Sequence, residues 1–179
     1  MAFDFTASAK LPVIAALAVI AAACAPVGTA EDAAPAAASQ ADPDEHPVSG
    51  LQVINLEVVS GGTRHPFRVE VAASSQAQSD GLMFRTEMGE NEGMIFPSDP
   101  PRARSFWMKN TPLSLDIIFI GTDGRITNIA ANTVPYSMES VPSAGITTGV
   151  LELVGGRAAQ LGIEPGDAVV FDLPPPQPE

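Results

Sequence analysis

Leu113-Ser114-Leu115-Asp116-Ile117-Ile118-Phe119-Ile120, then Gly121-Thr122-Asp123-Gly124-Arg125, then Ile126-Thr127-Asn128-Ile129, reads as strand, turn and strand. Branched and aromatic residues fill both arms, and Asp-Gly supplies the positive-φ backbone that a tight hairpin needs. The reading predicts a central strand over Leu113 to Ile120 and a partner over Ile126 to Val134. Toward the N-terminus, Leu51 to Val59 alternates, Gly61-Gly62 turns, and Phe67, Val69 and Val71 alternate again, which is a second hairpin signal. Pro66 removes one ladder donor, so this strand begins there or lies on an edge. Ser75 and Gln78 have capping-box spacing and Gly81 supplies a stop, predicting a short helix between them. Gly93 to Phe96 and Arg102 to Asn110 read as two further strands. Toward the C-terminus follow Thr147 to Val154, a short helix bracketed by Gly155-Gly156 and Gly162, and a last strand over Ala168 to Leu173. About eight short strands with turns between them predict a mainly β fold, either a small β-sandwich or a partly closed β-barrel with two short helices.

The chain has 179 residues, 45% of them hydrophobic, enough for one domain with a real core. Only 17% are charged, and the formal net charge is −12. Such an excess of acid is repelled by phosphate backbones, so nucleic acid is not an expected partner. Cys24 is the only cysteine, which leaves no intrachain disulfide to hold the fold.

Lys10 precedes an apolar run from Leu11 to Ala23. As a helix it spans about 20 Å, short of the roughly 30 Å hydrocarbon core, which is the length of a signal-peptide core and not of an anchor. Ala21-Ala22-Ala23-Cys24 resembles a bacterial lipoprotein box, with alanine in place of the usual leucine at its first position. Ordinary cleavage after Ala25, or after Gly28-Thr29-Ala30, is the rival reading. The position of the single cysteine favours lipidation at Cys24. Residues 25–50 are rich in Ala, Pro and acid without apolar periodicity, and read as a disordered spacer. The proline-rich residues 174–179 read as a disordered tail. The expected organisation is a signal peptide over 1–24, the spacer, one β-rich domain over 51–173 and the tail. The expected location is the periplasm, with the chain tethered to the membrane only through a lipid on Cys24.

Four segments carry a further resemblance: Gly81-Leu82-Met83-Phe84-Arg85, Gly93-Met94-Ile95-Phe96, Phe106-Trp107-Met108-Lys109-Asn110-Thr111 and Leu151-Glu152-Leu153. With Pro112-Leu113-Ser114-Leu115-Asp116 between the last two, their order and spacing resemble the domain of unknown function 192 (DUF192) family over roughly Phe67 to Phe171. The resemblance implies a small β-rich domain, often behind an export signal. It implies no reaction, cofactor or partner.

Chemistry has few candidates. Asp116 shares a strand face with Ser114, Ile118 and Ile120. A carboxylate buried there needs a partner, because an unpaired one costs several kcal/mol. Arg85, Lys109 and the Asn110 amide are the expected partners, either as a structural ion pair or as a pocket gripping an anionic or hydroxyl-bearing ligand. Trp107 is a core residue or, if exposed beside Lys109, a stacking floor for a sugar or aromatic ligand. Met83, Met88, Met94, Met108 and Met138 are scattered, so core filling is expected over soft-metal binding, and no metal site is expected. The histidines, His46 and His65, sit in no nucleophile-elbow or zinc-ligand pattern, and no phosphate-cradling loop occurs. Glu152 alternates with leucines and reads as solvent-facing, although a hydrolytic pair with Asp116 would leave no motif. The leading expectation is a non-enzymatic binding or interaction module that needs no cofactor. Its partner would be an unidentified small ligand or an envelope protein, and its candidate site residues are Arg85, Trp107, Lys109, Asn110 and Asp116. The alternatives are a carboxylate-based hydrolase around Asp116, Arg85 and Lys109, and a methionine-based metal-handling protein.

Overall fold

The computed structural model describes residues 45–174. The expected signal peptide with Cys24, spacer residues 25–44 and the tail from 175 lie outside the described residues. Strands β1 (Val53–Ser60), β2 (Thr63–Val71), β3 (Glu92–Phe106), β4 (Leu115–Gly121), β5 (Ile126–Ala130), β6 (Val141–Val154) and β7 (Ala168–Phe171) form one sheet in the order β5-β4-β6-β3-β2-β1-β7. Helices α1 (Ser75–Asp80) and α2 (Arg157–Leu161) complete the domain. Every strand pair is antiparallel except β2–β3, which is parallel. The outermost strands meet at one end. Arg125 bridges Ala168, the Ile126 N–H donates to the Asp167 carbonyl, and the Val169 N–H donates to the Gly124 carbonyl, each at 2.9 Å. The fold is thus a sheet curled into a half-barrel, and the sandwich alternative is set aside. Among the described residues no helix is long and apolar enough to cross a membrane.

Both hairpins form where Gly61-Gly62 and Asp123-Gly124 place them. Pro66 lies in the part of β2 that has only β1 beside it, since the β3 ladder starts at Arg68. The two strands expected over 93–96 and 102–110 are one, β3, which ends at Phe106. Its irregular stretch between Pro97 and Arg102 is spanned by the continuous partner β6. That partner starts at Val141, six residues before the expected Thr147. Ser74, not Ser75, caps α1, accepting from the Ala77 N–H at 3.1 Å. Residues 45–50, read as spacer, form a turn closed by His46 N–H to Leu51 O and Gly50 N–H to His46 O, both 2.8 Å.

The sheet is covered on both faces at its centre. The concave face holds Leu56, Val58, Phe67, Val69, Ile118, Ile120, Leu151 and Leu153, closed by Ala158 and Ile163. The convex face holds Met94, Phe96, Ile117, Phe119 and Val150, roofed by Leu82, Met108 and Leu115. All seven residues of β4 are therefore buried, which explains the apolar run from Ile117 to Ile120 within it. Edge-to-face contacts of Phe106 with Phe96 (5.1 Å) and Phe119 (6.1 Å) order the convex layer, each contributing about 1 kcal/mol beyond area. At Gly93 any Cβ would lie 2.5 Å from the Glu152 carbonyl oxygen, so only glycine lets β3 approach β6 this closely.

Candidate functional site

The roof over the convex face comes from the crossover between β2 and β3 and from the segment joining β3 to β4. The two lock together through backbone: Phe84 N–H donates to Asn110 O at 2.7 Å, and the Asn110 amide reaches the Met83 sulfur at 3.8 Å. Phe84 (φ 62°) and Asn110 (φ 54°) both adopt the left-handed region. For a bulky residue such as Phe84 this costs about 1–3 kcal/mol, a kind of strain that gathers at binding sites. Phe84 is nevertheless 75% exposed, so core packing does not compensate it.

Between these segments opens a cleft of about 610 Å³. Phe96, Leu115 and Glu152 form its base, while Asp80, Phe84, Arg104, Trp107, Lys109 and Asn110 line the sides. The Lys109 Nζ sits 5.3 Å from the Trp107 ring centroid, and Trp107 is 49% exposed, a stacked pair of modest strength. Arg104 is held by Nη1, which donates to Ser98 Oγ (3.1 Å) and Pro97 O (3.4 Å), and its guanidinium lies 5.2 Å from the Phe106 ring centroid. Asp80 accepts two bonds from the Gln76 amide, at 2.8 and 2.9 Å.

Glu152 is the unusual group. Only 4% of the residue is exposed, and among the described residues no hydrogen bond or ion pair reaches its carboxyl. Burial pushes its pKa up from 4.5 to about 8, with the Arg104 charge pulling part of the way back. At neutral pH it is predominantly an uncharged acid, offering a hydrogen to the cleft.

A larger cleft, about 890 Å³, lies across the same turn and shares Asp80, Gly81, Met83 and Phe84 with the first. Its one arginine is already engaged. Arg85 forms a bidentate pair with Glu70 at 3.0 Å on each nitrogen, Ser49 Oγ donates to the same carboxylate, and His46 Nε2 stands 3.6 Å away. This cluster fastens the turn at 45–50 to the sheet.

The expected constellation therefore divides. Trp107, Lys109 and Asn110 line the Glu152 cleft together; Arg85 belongs to Glu70. Asp116 lies elsewhere and binds none of its expected partners. It is fully buried, on the face of Ile118 as expected, and accepts the backbone N–H groups of Asn132 (2.8 Å), Gly156 (2.9 Å) and Ala158 (2.8 Å). It thus caps α2, whose own Gly156 carries no capping side chain. Register separates it from Glu152: Asp116 stands opposite Leu153 and Ile117 opposite Glu152, so the two carboxylates point to opposite faces. A hydrolytic pair of Asp116 with Glu152 is excluded by that geometry, and Asp116 lines neither the cleft of Arg85 nor that of Lys109. Trp107 to Lys109 follow the end of β3, yet burial still alternates, with Met108 1% exposed. Met94 and Met108 are core, Met83 lines both clefts, and Met138 is 59% exposed.

Glu152 is buried, not solvent-facing. A Leu-Glu-Leu triplet reads identically in a half-buried strand and in a strand covered on both faces. The signal that separates them lies in the apolar run from Ile117 to Ile120 of the neighbouring strand β4.

The family model of DUF192, described as "Uncharacterized ACR", matches residues 56–171. A protein of unknown function from Novosphingobium aromaticivorans has a crystal structure similar to this chain, with 54% identity, a TM-score of 0.70, and coverage of 76% of this chain and 98% of that one. A second crystal structure, of a Sinorhizobium meliloti protein provisionally described as a transcription regulator, is 35% identical with a TM-score of 0.66, covering 68% and 95%. No curated protein matches significantly.

Proposed function

This chain belongs to the DUF192 family, and from that premise we propose that it is a non-enzymatic binding module whose small-molecule site is the Glu152 cleft. The observation that carries the reading is the unpartnered, buried carboxyl of Glu152 at the base of an open cleft. Leaving such a group without a protein partner costs stability, and a ligand's polar group is the partner that would offset the cost. The exposed rings of Phe84 and Trp107 at the same cleft supply apolar surface for the ligand's body.

Trp107 is the only tryptophan, so its fluorescence reports on the cleft without labelling. Titrating the chain with a broad panel of small acids, alcohols, sugars and amines should identify compounds that shift Trp107 emission and raise the melting temperature together. The reading fails if no compound of any class does so. The domain's delivery outside the cytoplasm belongs to the same proposal and is supported by the apolar run 11–23 ending at Cys24. Expression in a bacterium with radiolabelled palmitate should label the chain in the membrane fraction, and Cys24→Ser should abolish the label. An unlabelled chain recovered from the cytosol would overturn this part.

A further inference from the structure

We infer that the Glu152 cleft takes a small organic monoanion, a carboxylate with an apolar or aromatic body, gripped between Arg104 and the Glu152 carboxyl as hydrogen-bond donors. The inference rests on the binding reading above and names its ligand class.

Charge supplies the first support. The chain carries a formal net charge of −12, yet its cleft reverses that sign. The titratable groups lining it are Arg104, Lys109, Asp80 and Glu152. Asp80 is exposed and occupied by the Gln76 amide, and Glu152 holds its proton at neutral pH because burial has raised its pKa to about 8. Two cations then face one engaged carboxylate, and a cleft of one sign attracts the opposite sign.

Donor geometry supplies the second. Arg104 is fixed by Ser98, Pro97 and the Phe106 ring through one nitrogen and one ring face. Among the described residues nothing uses its remaining N–H groups, which leaves a preoriented edge for a carboxylate. Protonated Glu152 adds an O–H donor. Arg104, the Lys109 ammonium and the protonated Glu152 all present donors to the cleft, so an acceptor-rich group is their complement. The floor of Phe96 and Leu115 and the rim of Phe84 and Trp107 accept an apolar body. Binding needs the Glu152 proton in place, because a second carboxylate beside an ionised Glu152 would be repelled.

Calorimetric titration of the full chain with phenylacetate and with its uncharged analogue phenylacetamide tests the class directly. At pH 6.5 phenylacetate is expected to bind at least tenfold more tightly. Its affinity should fall about tenfold between pH 7 and pH 9, as a group titrating near 8 loses its proton. Glu152→Gln keeps a donor and should bind phenylacetate with that pH dependence removed, and Arg104→Met should remove the preference for the anion. Equal binding of the two compounds, or phenylacetate affinity that rises with pH, would overturn the monoanion while leaving a ligand-binding cleft in place. Binding of neither, alongside an uncharged compound from the panel that shifts Trp107, also overturns it. Only silence of Trp107 toward every class removes the binding reading itself.

Discussion

Asp116 and Glu152 lie on neighbouring strands, one register step apart, and both are buried. One accepts three hydrogen bonds, and among the described residues the other accepts none. Asp116 receives three backbone N–H groups that would otherwise be orphaned at the start of α2 and after β5. Those bonds tie three segments together. Glu152 receives nothing from the protein and escapes the cost of a buried charge by keeping its proton. Two acids in one sheet thus divide the work, the concave-face carboxylate holding the fold and the convex-face carboxyl lying at the base of the cleft.

The largest test of that contrast is Asp116→Ala. Orphaning three N–H groups, that of Ala158 buried and the other two part-buried, should cost about 3 kcal/mol of unfolding free energy by urea denaturation. A loss below 1 kcal/mol would break the distinction. Next is the pH profile of Glu152. Its folded pKa, about 8, exceeds its ordinary 4.5, so the native state holds a proton that the unfolded chain has lost between those values. Stability therefore declines as pH rises from about 4.5 to about 8, by at most roughly 1.4 kcal/mol per pH unit, and levels off above. Glu152→Gln should match the wild type near pH 5 and exceed it by about 2 kcal/mol or more at pH 9, measured by urea unfolding at each pH. Parallel profiles would mean that Glu152 is not a strained acid. A smaller effect is expected for Phe84→Gly, which relieves the left-handed backbone and should gain up to about 1 kcal/mol while weakening any ligand that emission from Trp107 detects. Smallest is Lys109→Gln at the exposed rim, with an unfolding free energy by urea denaturation unchanged to within about 0.5 kcal/mol.

The strands, both hairpins and both helices were legible because their signals are local. Alternation, Gly-Gly, Asp-Gly and bracketing glycines act over a few residues. The fusion of the 93–96 and 102–110 strands was not legible, because Pro97, Pro100 and Pro101 read as an ending while the continuity comes from β6, some fifty residues away. The site divided along the same line. Trp107, Lys109 and Asn110 were found as neighbours in sequence and line one cleft. Arg104 and Glu152 were missed as site residues because their importance depends on what lies across the sheet. Asp116 was rightly singled out as buried, but a carboxylate's partners can be main-chain amides, which carry no residue type to read.

The single parallel pair, β2 beside β3, has a consequence for how this domain can diversify. Parallel neighbours cannot be joined by a tight turn, so the chain between Val71 and Glu92 must travel back along the sheet, and that return path carries α1, Asp80 and Phe84. Much of the cleft's wall is therefore a connector that the topology demands in any case, free to change sequence outside the core residue Leu82 and the Glu70 partner Arg85. Exchanging residues 73–91 between homologues that keep those two should transplant selectivity as a cassette while leaving the ladders beneath in place.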